Sequence, residues 1–135
     1  MGLNDPKVYL DSSLAIYLVE ESPVFRPKVE AVIERLPQVA FCISPLTVME
    51  CLILPTRLDD KPLIQKFSKW FSEAELLTIG TAVFQRATQL RADFPRLKTP
   101  AALHLATALH HNCDEFWTND GRLDNIAPKL VKNIL

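Results

Sequence analysis

Lys7-Val8-Tyr9-Leu10-Asp11-Ser12-Ser13-Leu14 decides the fold. The run Lys7 to Leu10 is short, apolar and partly β-branched, as suits a buried strand. Asp11 closes it, and the two serines then offer hydroxyl caps to an apolar-periodic stretch, Leu14 to Val19, that reads as a helix. A strand that passes into a helix through a carboxylate is the opening unit of an alternating α/β chain.

The same alternation continues downstream. Pro23 and Pro27 open a second helix through about Arg35, and Pro37 ends it. Val39 to Ile43 is β-branched and aromatic enough for a strand. Ser44-Pro45 then starts a third helix, expected to stop before Pro55. Lys61 to Phe71 places Leu63, Ile64, Phe67, Trp70 and Phe71 on one side of a fourth. Leu76 to Ile79 reads as the next strand. Beyond Gly80, Val83, Ala87, Leu90 and Phe94 mark one face of a helix that Pro95 stops. Thr99-Pro100 supplies an N-cap and a first-turn proline for an Ala/Leu helix to His110 or His111. Glu115 to Thr118 is a strand, Asn119-Asp120-Gly121 a turn, and Leu130-Val131 a last short strand. The expectation is one domain over residues 1–135, a three-layer α/β/α sandwich around a parallel sheet of about five short strands.

Composition supports that reading and excludes others. The 135 residues are 48% hydrophobic and 23% charged, and a domain of this size buries roughly two-thirds of its unfolded surface. Only three glycines are present, at 2, 80 and 121, so the clustered glycines of a Walker loop or dinucleotide cradle are missing. Net charge is −1, which gives no global field for a polyanion. Residues 57–98 are locally basic, with eight Lys and Arg against five Asp and Glu, and Arg91, Arg96 and Lys98 lead into the Ala/Leu helix. Cys42, Cys51 and Cys113 are odd in number, lack C-x-x-C spacing and lie among apolar neighbours, as expected of buried reduced thiols in a cytoplasmic protein. No apolar run is long enough to span a membrane and no signal peptide is evident.

In an open parallel sheet, ligands bind beyond the carboxyl ends of the strands, where strand order reverses. Asp11 and Asp120 both follow strands, although Asp11 also suits a cap and Asn119-Asp120-Gly121 an ordinary turn. Glu50 stands inside Leu46-Thr47-Val48-Met49-Glu50-Cys51-Leu52-Ile53-Leu54, where a buried carboxylate needs a cation, a metal or strong donors; the other reading is an outward stripe shared with Thr47. His104, His110, His111 and Cys113 lack the paired short spacings of a zinc site. His104 reads as core packing and His110-His111 as a helix C-terminus.

Four segments in this order resemble the PIN-domain ribonucleases, and especially the VapC-type toxins of bacterial toxin-antitoxin pairs. They are Val8 to Ser13, Ser44 to Glu50, Thr99-Pro100-Ala101-Ala102-Leu103-His104-Leu105-Ala106-Thr107-Ala108, and Trp117-Thr118-Asn119-Asp120. The resemblance implies an acidic pocket that binds Mg²⁺ or Mn²⁺ and hydrolyses RNA phosphodiesters. Asp11, Glu50 and Asp120 match three acidic positions as catalytic residues and metal ligands, and Ser12 or Ser13, Thr118 and Asn119 match supporting positions. It also implies an RNA substrate, a homodimer and a cognate antitoxin that lays an apolar helix into a groove.

The chain departs from the pattern at Ala101, where the family usually carries an aspartate. Loss of that carboxylate is expected to weaken metal binding and catalysis; Asp93 or Asp124 is a substitute ligand to consider, although each reads more simply as a solvated surface charge. The same alanine is the argument for a second reading, an inactive PIN-like module that binds RNA or sequesters an antitoxin.

Overall fold

The computed structural model describes residues 5–35 and 38–134. Five parallel strands form one sheet in the order β3-β2-β1-β4-β5. They are β1 (Lys7–Leu10), β2 (Ala40–Ile43), β3 (Glu75–Leu76), β4 (Glu115–Thr118) and β5 (Val131–Asn133). Between them run α1 (Ser12–Val19), α2 (Arg26–Glu34), α3 (Pro45–Arg57), α4 (Lys61–Glu73), α5 (Thr81–Asp93) and α6 (Thr99–His110). The chain builds outward from β1 through β2 to β3, then crosses to the other side of β1 for β4 and β5. Strand order therefore reverses between β1 and β4, beyond Leu10 and Thr118, which is where open parallel sheets place their ligands.

Two-residue periodicity sorts the sheet residues into two cores. Val8, Leu10 and Trp117 point to the side of Leu14 and Val29 from α1 and α2. Tyr9, Cys42 and Phe116 point the other way, against Val83 and Ala87 of α5 and Ala102, Leu105 and Ala106 of α6. Tyr9 and Phe116 stack across the pairing with ring centroids 5.4 Å apart. Ala15, Val19, Cys51 and Phe67 close a smaller cluster among α1, α3 and α4. Full burial of each large apolar side chain contributes about 1.5 to 3 kcal/mol, so both faces of the sheet are strongly held.

The fold class is as expected from sequence, and the differences are local. Asp11, rather than a serine hydroxyl, caps α1, because its Oδ1 accepts from the Ser12 backbone N–H at 2.8 Å. Pro55 lies inside α3 instead of beyond it. It lacks an N–H for the helix and its ring crowds the preceding turn, yet it lies in the last turn and the next bonds resume, with Leu58 N–H donating to Leu54 O at 3.0 Å. The third strand is Glu75–Leu76, earlier and shorter than Leu76 to Ile79. Lys98 rather than Thr99 occupies the N-cap of α6, since Thr99 Oγ1 is taken by the Arg91 guanidinium at 3.0 Å and residue 99 is already helical. The last strand begins at Val131 rather than Leu130. Pro37, expected to end α2, lies outside the described residues.

Candidate active site

Asp11 and Asp120 are carried to the same edge of the sheet by β1 and β4, which pair through Leu10 and Trp117. Thr118, fully buried at the end of β4, joins them. Its Oγ1 donates to Asp11 Oδ2 at 2.8 Å and accepts from the Asp120 backbone N–H at 3.0 Å. Asp11 is thus fixed by two donors, one on each oxygen.

Glu50 reaches the same region from α3. Ser12 links it to Asp11, giving its backbone N–H to Asp11 and its Oγ to Glu50 Oε1 at 2.7 Å. Oε1 also lies 2.5 Å from His104 Nε2. The Glu50 side chain is 28% exposed and that of His104 only 3%. Burial raises the Glu50 pKa, but the hydrogen bonds from His104 and Ser12 outweigh it and hold the carboxyl below its usual value. The strong donors that a carboxylate in this apolar helix requires are therefore an imidazole and a hydroxyl. The outward-stripe reading does not hold, because Thr47 is completely buried.

Behind His104 the polar chain continues inward. His104 Nδ1 lies 2.6 Å from Tyr9 Oη, which lies 2.8 Å from Ser44 Oγ and 3.3 Å from Thr47 Oγ1. Thr47 Oγ1 in turn accepts the Ser44 backbone N–H at 3.1 Å. Every buried side-chain polar atom among the described residues finds a partner. Burial pushes the Tyr9 phenol well above its usual range, so it stays neutral.

His104 is buried, as the sequence predicts, but its bond to Glu50 is what sequence reasoning missed. The signal was available: a buried imidazole in an Ala/Leu helix and a lone carboxylate in another apolar helix each need a partner. The other two histidines behave as expected at the end of α6. His110 is the last helical residue and His111, at the C-cap, lies with its Nε2 2.8 Å from Thr78 O.

Asp120 is oriented differently from the other two acids. Both its oxygens accept from Arg122, Nε to Oδ1 at 2.9 Å and Nη2 to Oδ2 at 2.8 Å, and Oδ1 also caps the short 3₁₀ turn Gly121–Leu123. Hydrogen bonding from Arg122 is the main cause of its lowered pKa, and Lys98 adds a smaller pull. Asn119 points toward α1, accepting from Ser13 Oγ at 3.0 Å and donating to Tyr17 Oη at 2.8 Å. Ala101, in the first turn of α6, is half-buried and shares a cleft with Asp120.

This sheet order and these positions have a known counterpart, since residues 8–129 match the PIN domain family. The chain belongs to that family. PIN domains are nucleases. A search of curated proteins returns no match. Among solved structures, a toxin-antitoxin complex from Klebsiella pneumoniae is similar at 23% identity and TM-score 0.77, over 95% of this chain and 98% of that one. VapBC2 from Rickettsia felis, bound to a DNA fragment from its promoter, aligns at 15% identity and TM-score 0.75, over 94% and 98%. VapC20 from Mycobacterium tuberculosis, a sarcin-ricin loop cleaving toxin, aligns at 12% and TM-score 0.68, over 90% and 93%.

PIN nucleases generally use a divalent metal, and the donors here suit one in kind. Carboxylate oxygens are what Mg²⁺ and Mn²⁺ prefer, and Mg²⁺ is commonly held by only one or two carboxylates with water completing its shell. Among the described residues, Glu50 Oε2 accepts no hydrogen bond and remains open to a cation. As arranged, no three His, Cys, Asp or Glu among the described residues are grouped to enclose an ion by themselves. Cys42, Cys51 and Cys113 are buried and free, as expected. Among the described residues no helix is long and apolar enough to cross a membrane.

Proposed function

We propose that this PIN domain is a metal-dependent endoribonuclease of the VapC toxin type, attenuated by alanine at position 101. The observation that carries this reading is the linkage of Asp11 to Asp120 through Thr118 and to Glu50 through Ser12, at the point where strand order reverses. Asp11, Glu50 and Asp120 would supply the carboxylates for Mg²⁺ or Mn²⁺, Asp120 once Arg122 releases it. Such an ion lowers the pKa of a bound water and stabilises charge on phosphate oxygens. Ser12 and Thr118 fix two of the carboxylates, and His104 keeps Glu50 ionised and aimed. An aspartate at 101 would add a fourth carboxylate on the Asp120 side.

The Klebsiella and Rickettsia relatives are toxin-antitoxin assemblies, which supports an antitoxin as partner here; a homodimer is what the family resemblance alone implies. Three buried free thiols support a reducing, cytoplasmic setting. Ala101 also favours one other reading, a non-cutting module that still binds RNA or its antitoxin.

The deciding experiment incubates labelled tRNA and rRNA with this protein and with Ala101→Asp, in Mg²⁺, Mn²⁺ or EDTA. Cleavage by the variant that EDTA abolishes establishes a disabled nuclease. Failure of both proteins on a broad RNA panel favours the binding module.

A further inference from the structure

A cleft of about 560 Å³ opens beside Asp120 and Ala101, between the α5–α6 connection and the 3₁₀ turn after β4. Neither Asp11 nor Glu50 lines it, so it adjoins the carboxylates without containing them. Its apolar surface comes from Phe94, Leu97, Leu123 and Ile126, and Arg96 and Lys98 stand exposed on its wall. Neither cation makes an ion pair among the described residues. The acids on the same cleft are engaged, Asp93 by Gln89 at 2.9 Å and Asp120 by Arg122.

The wall is built in advance. Arg91 Nε donates to Leu97 O at 2.9 Å and its Nη1 to Thr99 Oγ1, while Leu97 N–H closes a turn on Phe94 O at 2.9 Å. Arg91 is therefore spent on holding the connection, which leaves Arg96 and Lys98 as the cations presented to a ligand. An apolar slot with two uncommitted cations, continuous with a carboxylate at the reversal point, matches an object with a flat apolar face and a phosphate. Its volume lies within the range of small-molecule pockets.

We propose that this cleft seats one unpaired nucleotide of the RNA adjoining the phosphodiester at the carboxylates, its base on Phe94 and Ile126 and its phosphates toward Arg96 and Lys98. The proposal rests on the ribonuclease reading and deepens it: the cleft is a base-binding subsite beside the carboxylates, which an unpaired or turned-out base can enter and a paired base cannot. An acidic segment of a protein partner is the alternative occupant, and the variant series tells the two apart.

The test is fluorescence anisotropy in Mg²⁺, using a labelled short oligoribonucleotide of mixed sequence and the same strand annealed to its complement. The single strand is expected to bind about tenfold tighter than the duplex. Replacing both cations, Arg96→Gln with Lys98→Gln, should flatten the dependence of log affinity on log salt by about 1.4, from two phosphates at about 0.7 each. Ile126→Ser should weaken the single strand about tenfold with the salt slope unchanged, since it touches the base. Asn125→Glu, at an exposed position on the same cleft, guards against misfolding of Ile126→Ser and should act in the same direction.

Equal binding of single strand and duplex overturns the proposal. So does unaltered single-strand affinity in every variant, which would assign the cleft to an acidic partner segment. If Ala101→Asp cuts RNA and the cleft substitutions change nothing, the cleft assignment alone falls. If neither protein binds or cuts any RNA, the ribonuclease reading falls and this one with it.

Discussion

His104 Nε2 and Glu50 Oε1 stand 2.5 Å apart, a single contact that ties α6 to α3. It gives the imidazole its acceptor and the carboxylate its donor. Loss of the imidazole leaves Glu50 and the Tyr9 hydroxyl short of a partner and opens a cavity. Each buried group so deprived costs about 1 to 3 kcal/mol, so His104→Ala is expected to destabilise by about 3 kcal/mol in urea unfolding. A double-mutant cycle with Glu50→Gln should show the two costs to be strongly non-additive. Additive costs would mean that the contact is incidental.

Thr118 is the hinge of the other carboxylate pair. Thr118→Val keeps the shape and removes the hydroxyl, which leaves Asp11 Oδ2 and the Asp120 N–H without their shared partner. In an Ala101→Asp background we expect cleavage to fall 10- to 100-fold, the usual effect of removing a group that orients a metal-binding side chain, while Thr118→Ser retains most of it. Equal rates for the valine and serine variants would show that the hydroxyl orients nothing.

Arg122 competes for the carboxylate that a cation would use. It is 75% exposed, so Arg122→Ala should leave stability nearly unchanged. The same substitution frees both Asp120 oxygens and removes a positive charge. Isothermal titration with Mn²⁺ is expected to show tighter binding in the variant, by severalfold. Weaker binding would indicate that Arg122 holds Asp120 in its ligating orientation.

Stability should depend on acid through Glu50 and Asp120, both of which have lowered pKa values in the folded chain. The unfolded chain takes up these protons first as pH falls. Their contribution is therefore complete above the ordinary carboxylate pKa of about 4 and disappears below it, as the folded values are crossed. Denaturation melts from pH 6 downward, with and without Glu50→Gln, measure this: the variant should show a shallower loss at low pH.

The thiols should be inert while the protein is folded. All three are buried, and burial pushes Cys51 up to about 12. Thiol reagent at mildly alkaline pH should find no reactive cysteine in the native protein and three after unfolding in urea.

The sequence by itself determined the alternation of strands and helices, because hydrophobic periodicity and the Pro, Ser and Gly stops are local. Lys7–Leu10, Glu115–Thr118 and the helix ending at His110 are legible from neighbours alone. Element edges were less so: Pro55 is tolerated inside α3, and Thr99 is diverted from capping by Arg91, a residue on another helix. Glu50 stands out in the sequence by its apolar surroundings, whereas Asp11 and Asp120, each also readable as a cap or a turn, are singled out only by the family resemblance. What joins the three is not legible there, for Thr118 bridges two strands more than a hundred residues apart in the chain, and His104 finds Glu50 only when α3 and α6 pack on the same sheet. Strand order likewise depends on the path of the crossover after β3. Local propensity chose the elements; long-range burial, which forces each lone polar group to find a partner, chose who meets whom.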